Sequence, residues 1–143
     1  MANTLTFTSG SFMQCTIATQ STTGGTIYDI LTATSSVDRR VYGINVVSND
    51  NGVNPVKIYL NNGGDNIQVS NVNVVANSGN NVTTPLTNIF TNIMGESVFC
   101  KTRDYNGIPY FNLPKNWSIR MSFLTTHGLT TEAIYTFVYG EYY

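Results

Sequence analysis

The sequence predicts an all-β protein, an antiparallel β-sandwich with one short helix, and three features carry that expectation. Val, Ile, Thr, Tyr and Phe recur in short blocks, and Gly, Asn, Asp and Ser interrupt them about every ten residues, the spacing of sandwiches and barrels. Within several blocks apolar and polar residues alternate, the period of a strand with one dry face. The 143 residues suffice for one domain with a single core, and no linker, charge run or repeat array divides them.

Strands are expected near 4–8, 12–18, 26–33, 40–48, 55–60, 66–75, 97–101, 109–113, 117–125 and 133–142. The first belongs to a polar, β-prone stretch, 1–12, that reads as an N-terminal arm suited to adding to a neighbour's sheet edge. Gly24-Gly25 loosens the chain before the third strand. The turn Asn51-Gly52 within 49–54 separates the fourth strand from the fifth, in which Val56, Ile58 and Leu60 share one face and Lys57 and Tyr59 the other. Asn62-Gly63 then sets a tight turn at 61–65, and Asn77-Ser78-Gly79-Asn80 a looser connection. Next comes the helix, about residues 85–94: Leu86, Ile89, Phe90, Ile93 and Met94 fall at helical spacing. Thr84 suits its N-cap, Pro85 its first turn and Gly95 its end. A third pair, Asn106-Gly107, precedes 109–113. In 117–125 Ile119, Met121 and Phe123 oppose Ser118, Arg120 and Ser122.

Composition limits the function. Charged residues make up 10% of the chain, against about 25% in an average domain. The polarity comes instead from 18 Asn, 20 Thr and 11 Ser. With seven Lys+Arg against eight Asp+Glu and a net charge of -1, nucleic acid is not an expected partner. No apolar run approaches the ~20 residues of a membrane span, and MANTLTFTSG has neither part of a secretion signal. Neither membrane nor secretion is therefore expected.

The residues of catalysis are sparse. His127 is the single histidine, in a loop between the last two strands, and no Gly-x-Ser-x-Gly elbow accompanies it. One His with the distant Cys15 and Cys100 gives no zinc spacing, so the cysteines are expected as buried thiols. Most of the eight acids flank turns, where Asp caps backbone N–H groups. Asn49-Asp50-Asn51-Gly52 and Asp104-Tyr105-Asn106-Gly107 offer loop oxygens but no EF-hand pattern. No enzyme activity, metal or cofactor is expected. The sequons Asn81-Val82-Thr83 and Asn116-Trp117-Ser118 follow from the abundance of Asn, Ser and Thr.

A β domain normally keeps Lys and Glu on its surface and edges. This chain nearly omits them and crowds Tyr135, Tyr139, Tyr142 and Tyr143 at its C-terminus, which points to a surface meant to be covered by protein. Arg39, Arg40 and Arg103, with Tyr139, Tyr142 and Tyr143, are the candidate partner-binding residues.

Three stretches carry a resemblance: Val37-Asp38-Arg39-Arg40-Val41-Tyr42-Gly43-Ile44, Val56-Lys57-Ile58-Tyr59-Leu60-Asn61-Asn62-Gly63, and Tyr110-Phe111-Asn112-Leu113-Pro114-Lys115-Asn116-Trp117 with the strand that follows. Over roughly residues 37–143 the chain resembles the small jelly-roll decoration, or auxiliary capsid, proteins of tailed bacteriophages. The resemblance implies a jelly-roll-like sandwich on the virion's capsid surface. Its implied partners are the major capsid protein and further copies of itself in a homo-trimer, adding buried area where capsomers meet. The Asn/Thr-rich N-terminus departs from the pattern and leaves a tail or head-fibre role open. A carbohydrate-binding β-sandwich stacking sugars on Tyr105, Tyr110 or Trp117 is a further alternative, and other Greek-key sandwiches share the strand signals.

Overall fold

The computed structural model describes residues 12–18, 25–32, 35–89, 102–103, 106–124 and 133–142, of which 12–18 and 133–142 are described by backbone alone. These residues form β1 (Phe12–Ala18), β2 (Ile27–Leu31), β3 (Asp38–Ser48), β4 (Asn54–Asn61), β5 (Asn66–Val74), β6 (Thr87–Asn88), β7 (Thr102–Arg103), β8 (Pro109–Leu113), β9 (Ser118–Phe123) and β10 (Ala133–Tyr142).

Four antiparallel ladders, β4 with β5, β3 with β8, β2 with β9 and β1 with β10, are the rungs of one long ribbon. It turns back on itself at Asn62-Gly63-Gly64-Asp65, where Gly63 takes a φ of 96° that an L side chain rarely adopts. Asn62 Oδ1 holds the turn by accepting from the Gly64 and Asp65 amides at 3.0 and 2.9 Å. The ribbon is then rolled, because β10 also pairs with β3 and β9 also pairs with β4. Two four-stranded sheets result, sheet A with the order β1-β10-β3-β8 and sheet B with the order β2-β9-β4-β5. The short strands β7 and β6 extend sheet A beside β8 and β3. Rolled pairing of this kind is the jelly-roll arrangement of an antiparallel sandwich.

The core lies between the sheets, with Val41, Ile44, Val46, Phe111 and Leu113 from sheet A against Val56, Ile58, Ile119, Met121 and Phe123 from sheet B. Burying each large apolar side chain contributes about 1.5–3 kcal/mol. Three β-bulges decide which residues reach that core. In the β3–β10 ladder Gly43 faces Val138 and Val41 faces Tyr139, so Tyr42 is the extra residue and the inward set passes from Arg39 and Val41 to Ile44, Val46 and Ser48. Val69 is skipped between the Ile58–Ser70 and Tyr59–Gln68 pairs, and both Val69 and Ser70 are buried. Ile30 is skipped in the same way, and Ile30 and Leu31 are both buried.

The expected strands at 12–18, 26–33, 40–48, 55–60, 66–75, 109–113, 117–125 and 133–142 are present within a few residues, whereas 4–8 and 97–101 lie outside the described residues. The short strands β6 and β7 escape the sequence pattern because each is defined by its partner.

The helix expected over 85–94 is corrected at its start. Pro85 and Leu86 are not helical, Thr87–Asn88 pair with β3, and Ile89 is the first residue with helical backbone; 90–94 lie outside the described residues. β8 pairs with β3 only at Arg39–Val41, which leaves the Asn45–Val46 stretch of β3 open for β6. The buried Ser78 fixes β6 there: its hydroxyl donates to the Val46 carbonyl at 2.7 Å and accepts from the Thr87 amide at 2.7 Å. Asn81, and not Thr84, caps the local turn, its Oδ1 accepting from the Thr83 and Thr84 amides at 3.1 and 2.7 Å.

Candidate functional site

Residues opposite one another in a ladder share a face, so the pairings lay out the outer surface of sheet B. One row runs Asp29, Arg120, Tyr59 and Gln68 from edge to edge, and the next holds Ser118, Asn61 and Asn66. A single network joins Asp29, Arg120, Ser118, Asn61 and Asn66. Arg120 Nε donates to Asp29 Oδ1 at 2.6 Å, and its Nη1 to Asn66 Oδ1 at 3.1 Å. Asn61 Nδ2 donates to the same Asn66 oxygen at 3.0 Å and to the Asp65 carbonyl at 3.1 Å, while Ser118 Oγ donates to Asp29 Oδ1 at 3.3 Å. Further along, the Tyr59 hydroxyl and Ser122 Oγ lie 3.3 Å apart, and Gln68 Nε2 donates to Asn71 Oδ1 at 3.1 Å. The Asp29 and Arg120 side chains are 44% and 30% exposed, so water weakens the ion pair. Asn61, Ser118 and Ser122 are buried beneath this network, so the face presents the amides of Asn66, Gln68, Asn71 and Asn73 with one neutralised charge pair, Tyr59 and Lys57, chemistry suited to hydrogen bonds with a protein surface.

Sequence reasoning did not single out Arg120, Asp29, Asn61 or Asn66. The signal for Arg120 was its place between Ser118 and Ser122 on the polar side of β9. Its partners come from β2 and from the end of β5, which only the pairing of distant strands identifies.

Arg39 and Arg40 prove to be different residues in kind. Arg39 is 6% exposed, faces the interior and donates from Nη1 to the Thr32 carbonyl, tying the chain beyond β2 to β3. Its guanidinium is a strut inside the sandwich and does not stand on the surface of this chain. Arg40 points the other way, opposite Asn112, with its guanidinium carbon 4.7 Å from the centroid of the Tyr110 ring. Tyr42 tilts against the same ring, with centroids 5.7 Å apart and planes at 50°. Arg103 is exposed, and its Nη1 donates to the Gly107 carbonyl at 2.6 Å, closing the β7–β8 turn. Tyr139 and Tyr142 take β10 positions opposite Val41 and Asp38, and Tyr143 lies outside the described residues. Of the candidates whose side chains are described, Arg39, Arg40 and Arg103, the structure thus brings Arg40 into a cluster with Tyr42 and Tyr110.

Two further carboxylates accept from backbone and side-chain amides. Asp38 Oδ1 accepts from the Lys115 amide at 2.6 Å, while Asp50 accepts from the Gly52 amide and from Asn54 Nδ2, each at 2.9 Å. Among the described residues no group of three or more His, Cys, Asp and Glu side chains converges as a metal site would require. His127, Cys100, Asp104 and Tyr105 lie outside those residues. Two residues considered for sugar stacking are occupied: Tyr110 is 6% exposed beneath Arg40 and Tyr42, and Trp117 packs on the core. Among the described residues no helix is long and apolar enough to cross a membrane.

Set beside protein-family models and curated proteins, the chain matches none.

Proposed function

We propose that this chain is a virion structural protein, a capsid decoration protein that binds the outer shell and stabilises contacts between capsomers. The observation that supports this most directly is the outer face of sheet B. Exposed positions where a free β protein places Lys and Glu hold Asn66, Gln68, Asn71 and Asn73, and the Asp29–Arg120 pair neutralises itself. Such a surface gains little from water-exposed charge and much from being covered. The jelly-roll arrangement agrees, since capsid domains use it, although lectins share the fold and the support is by analogy. In this reading the protein is non-enzymatic, needs no cofactor, and has as partners the major capsid protein and further copies of itself. An interface of ~1,600 Å² holds each copy, and repetition over a shell adds avidity.

Electron microscopy of the native assembly tests the proposal. The expected result is density for this fold at regular positions on the capsid exterior. Density confined to the tail or to head fibres would move the protein to that role, and a virion without it would falsify both.

A further inference from the structure

β5, at one edge of sheet B, pairs with β4 and carries no further strand on its other side among the described residues. Its sequence, Asn66-Ile67-Gln68-Val69-Ser70-Asn71-Val72-Asn73-Val74, contains no charged residue and no proline. Proteins blunt their edges with such residues, so a bare nine-residue edge is a template for another strand. The bulge at Val69 leaves Ser70–Val74 as the regular stretch, five residues long, with Asn71 and Asn73 outward and Val72 and Val74 inward. Exposed Ile67 and Val75 flank it.

Eleven residues precede β1, and within them Leu5-Thr6-Phe7-Thr8 alternates apolar and polar as Val74-Asn73-Val72-Asn71 does in the reverse direction, again without charge. Added antiparallel beside β5 with Leu5 opposite Val74 and Phe7 opposite Val72, this segment would set both apolar residues on the inner side with the valines and Thr6 and Thr8 outward with Asn73 and Asn71, extending both faces of the sheet.

The copy that donates the segment is decided by topology. β1 is the far edge of sheet A and lies against β2, the edge of sheet B opposite β5. A strand docked beyond β5 therefore sits roughly 20 Å from β1, from four strand spacings of ~4.8 Å and one sheet separation of ~10 Å. The linker from Thr8 to Phe12 spans about 14 Å at full extension. The arm cannot reach the β5 of its own chain.

We infer that residues 5–8 of one copy add as an antiparallel strand to Asn71–Val74 of a second copy. Donor and acceptor are different segments, so the contact is exchanged reciprocally in a two-fold dimer or repeats head-to-tail, closing into a ring or running on as a chain. This deepens the assembly reading by naming the contact between copies, and it is independent of which surface the assembly decorates.

The test uses the full chain, wild type and with Leu5→Asp and Phe7→Asp together, which set charges against the apolar side of the pairing. Mass is read by light scattering and backbone protection by hydrogen exchange. The expected result is an oligomeric wild type and a monomeric variant, in which exchange at 71–74 rises on the order of tenfold while β9 stays protected. A synthetic peptide of residues 1–11 restores the protection in the variant. A wild type that is monomeric at every concentration overturns the inference, and so does association that survives the substitutions, as direct pairing of β5 with β5 would. A monomer that still binds shells removes the arm and leaves the decoration reading standing.

Discussion

Removing one buried hydroxyl should detach the chain after β5 from sheet A. Ser78 is fully buried, and its Oγ donates to the Val46 carbonyl at 2.7 Å while accepting from the Thr87 amide at 2.7 Å. Thr87 Oγ1 lies 3.0 Å from the same oxygen and also accepts from the Val75 amide at 3.3 Å. Ser78→Ala deletes the oxygen at the centre of this set and leaves a backbone acceptor and a backbone donor unmatched in a site with no room for bulk water. Each such group costs about 1–3 kcal/mol, and partial relaxation brings the expected loss to about 2–4 kcal/mol. Ser70→Ala is the internal comparison. Ser70 is also buried, at 4% exposure, but its one hydrogen bond, to the Asn71 carbonyl, is 3.5 Å long. Its loss should cost under about 1 kcal/mol. Urea denaturation of both variants at a common m-value measures the difference, and hydrogen exchange at the Thr87 amide should accelerate in the first variant alone. Equal losses in the two variants would show that the hydroxyl of Ser78 is not what holds β6 to β3.

Two further outcomes follow from the geometry. Gly79→Ala should destabilise by about 2 kcal/mol or more, because φ is +63° there and a Cβ would stand 3.0 Å from Leu86 Cβ and 3.4 Å from Val47 Cγ2. Gly64→Ala, whose nearest neighbour would be Asn62 Oδ1 at 3.7 Å, should be neutral or stabilising by up to about 1 kcal/mol, and thermal unfolding ranks the two. A double-mutant cycle on Asp29 and Arg120 should give a coupling of about 0.3–1 kcal/mol that shrinks in high salt, the size expected of a half-exposed pair; a larger, salt-independent coupling would contradict the solvent screening assigned to it.

Much of the candidate surface was hidden from sequence reasoning, and Arg39 and Arg40 show why. The two are adjacent and chemically identical, yet one is buried as a strut and the other stacks on Tyr110. In a strand, neighbouring residues must point to opposite faces, but which face is inside depends on register against β10, and the bulge at Tyr42 reverses that register midway. The Arg120 network has the same character, since its partners are separated from it by 91 and 54 residues. Local signals at Thr84-Pro85 favoured a helix start, but a nearby open stretch of β3 and the Ser78 hydroxyl supplied better partners for the Thr87 backbone.

The sequence by itself determined that the chain is all β, because alternation and turn chemistry are local properties. Ile119, Met121 and Phe123 had to share a face, and Asn62-Gly63 had to turn. Its small share of charge, 10% of the residues, is likewise a property of the sequence alone. Only the tertiary structure decided the jelly-roll order, the positions of the three bulges and which strands end the sheets among the described residues. Those are set by which distant strands pair, and backbone hydrogen bonds, being alike in every strand, carry no record of their partner in the local sequence.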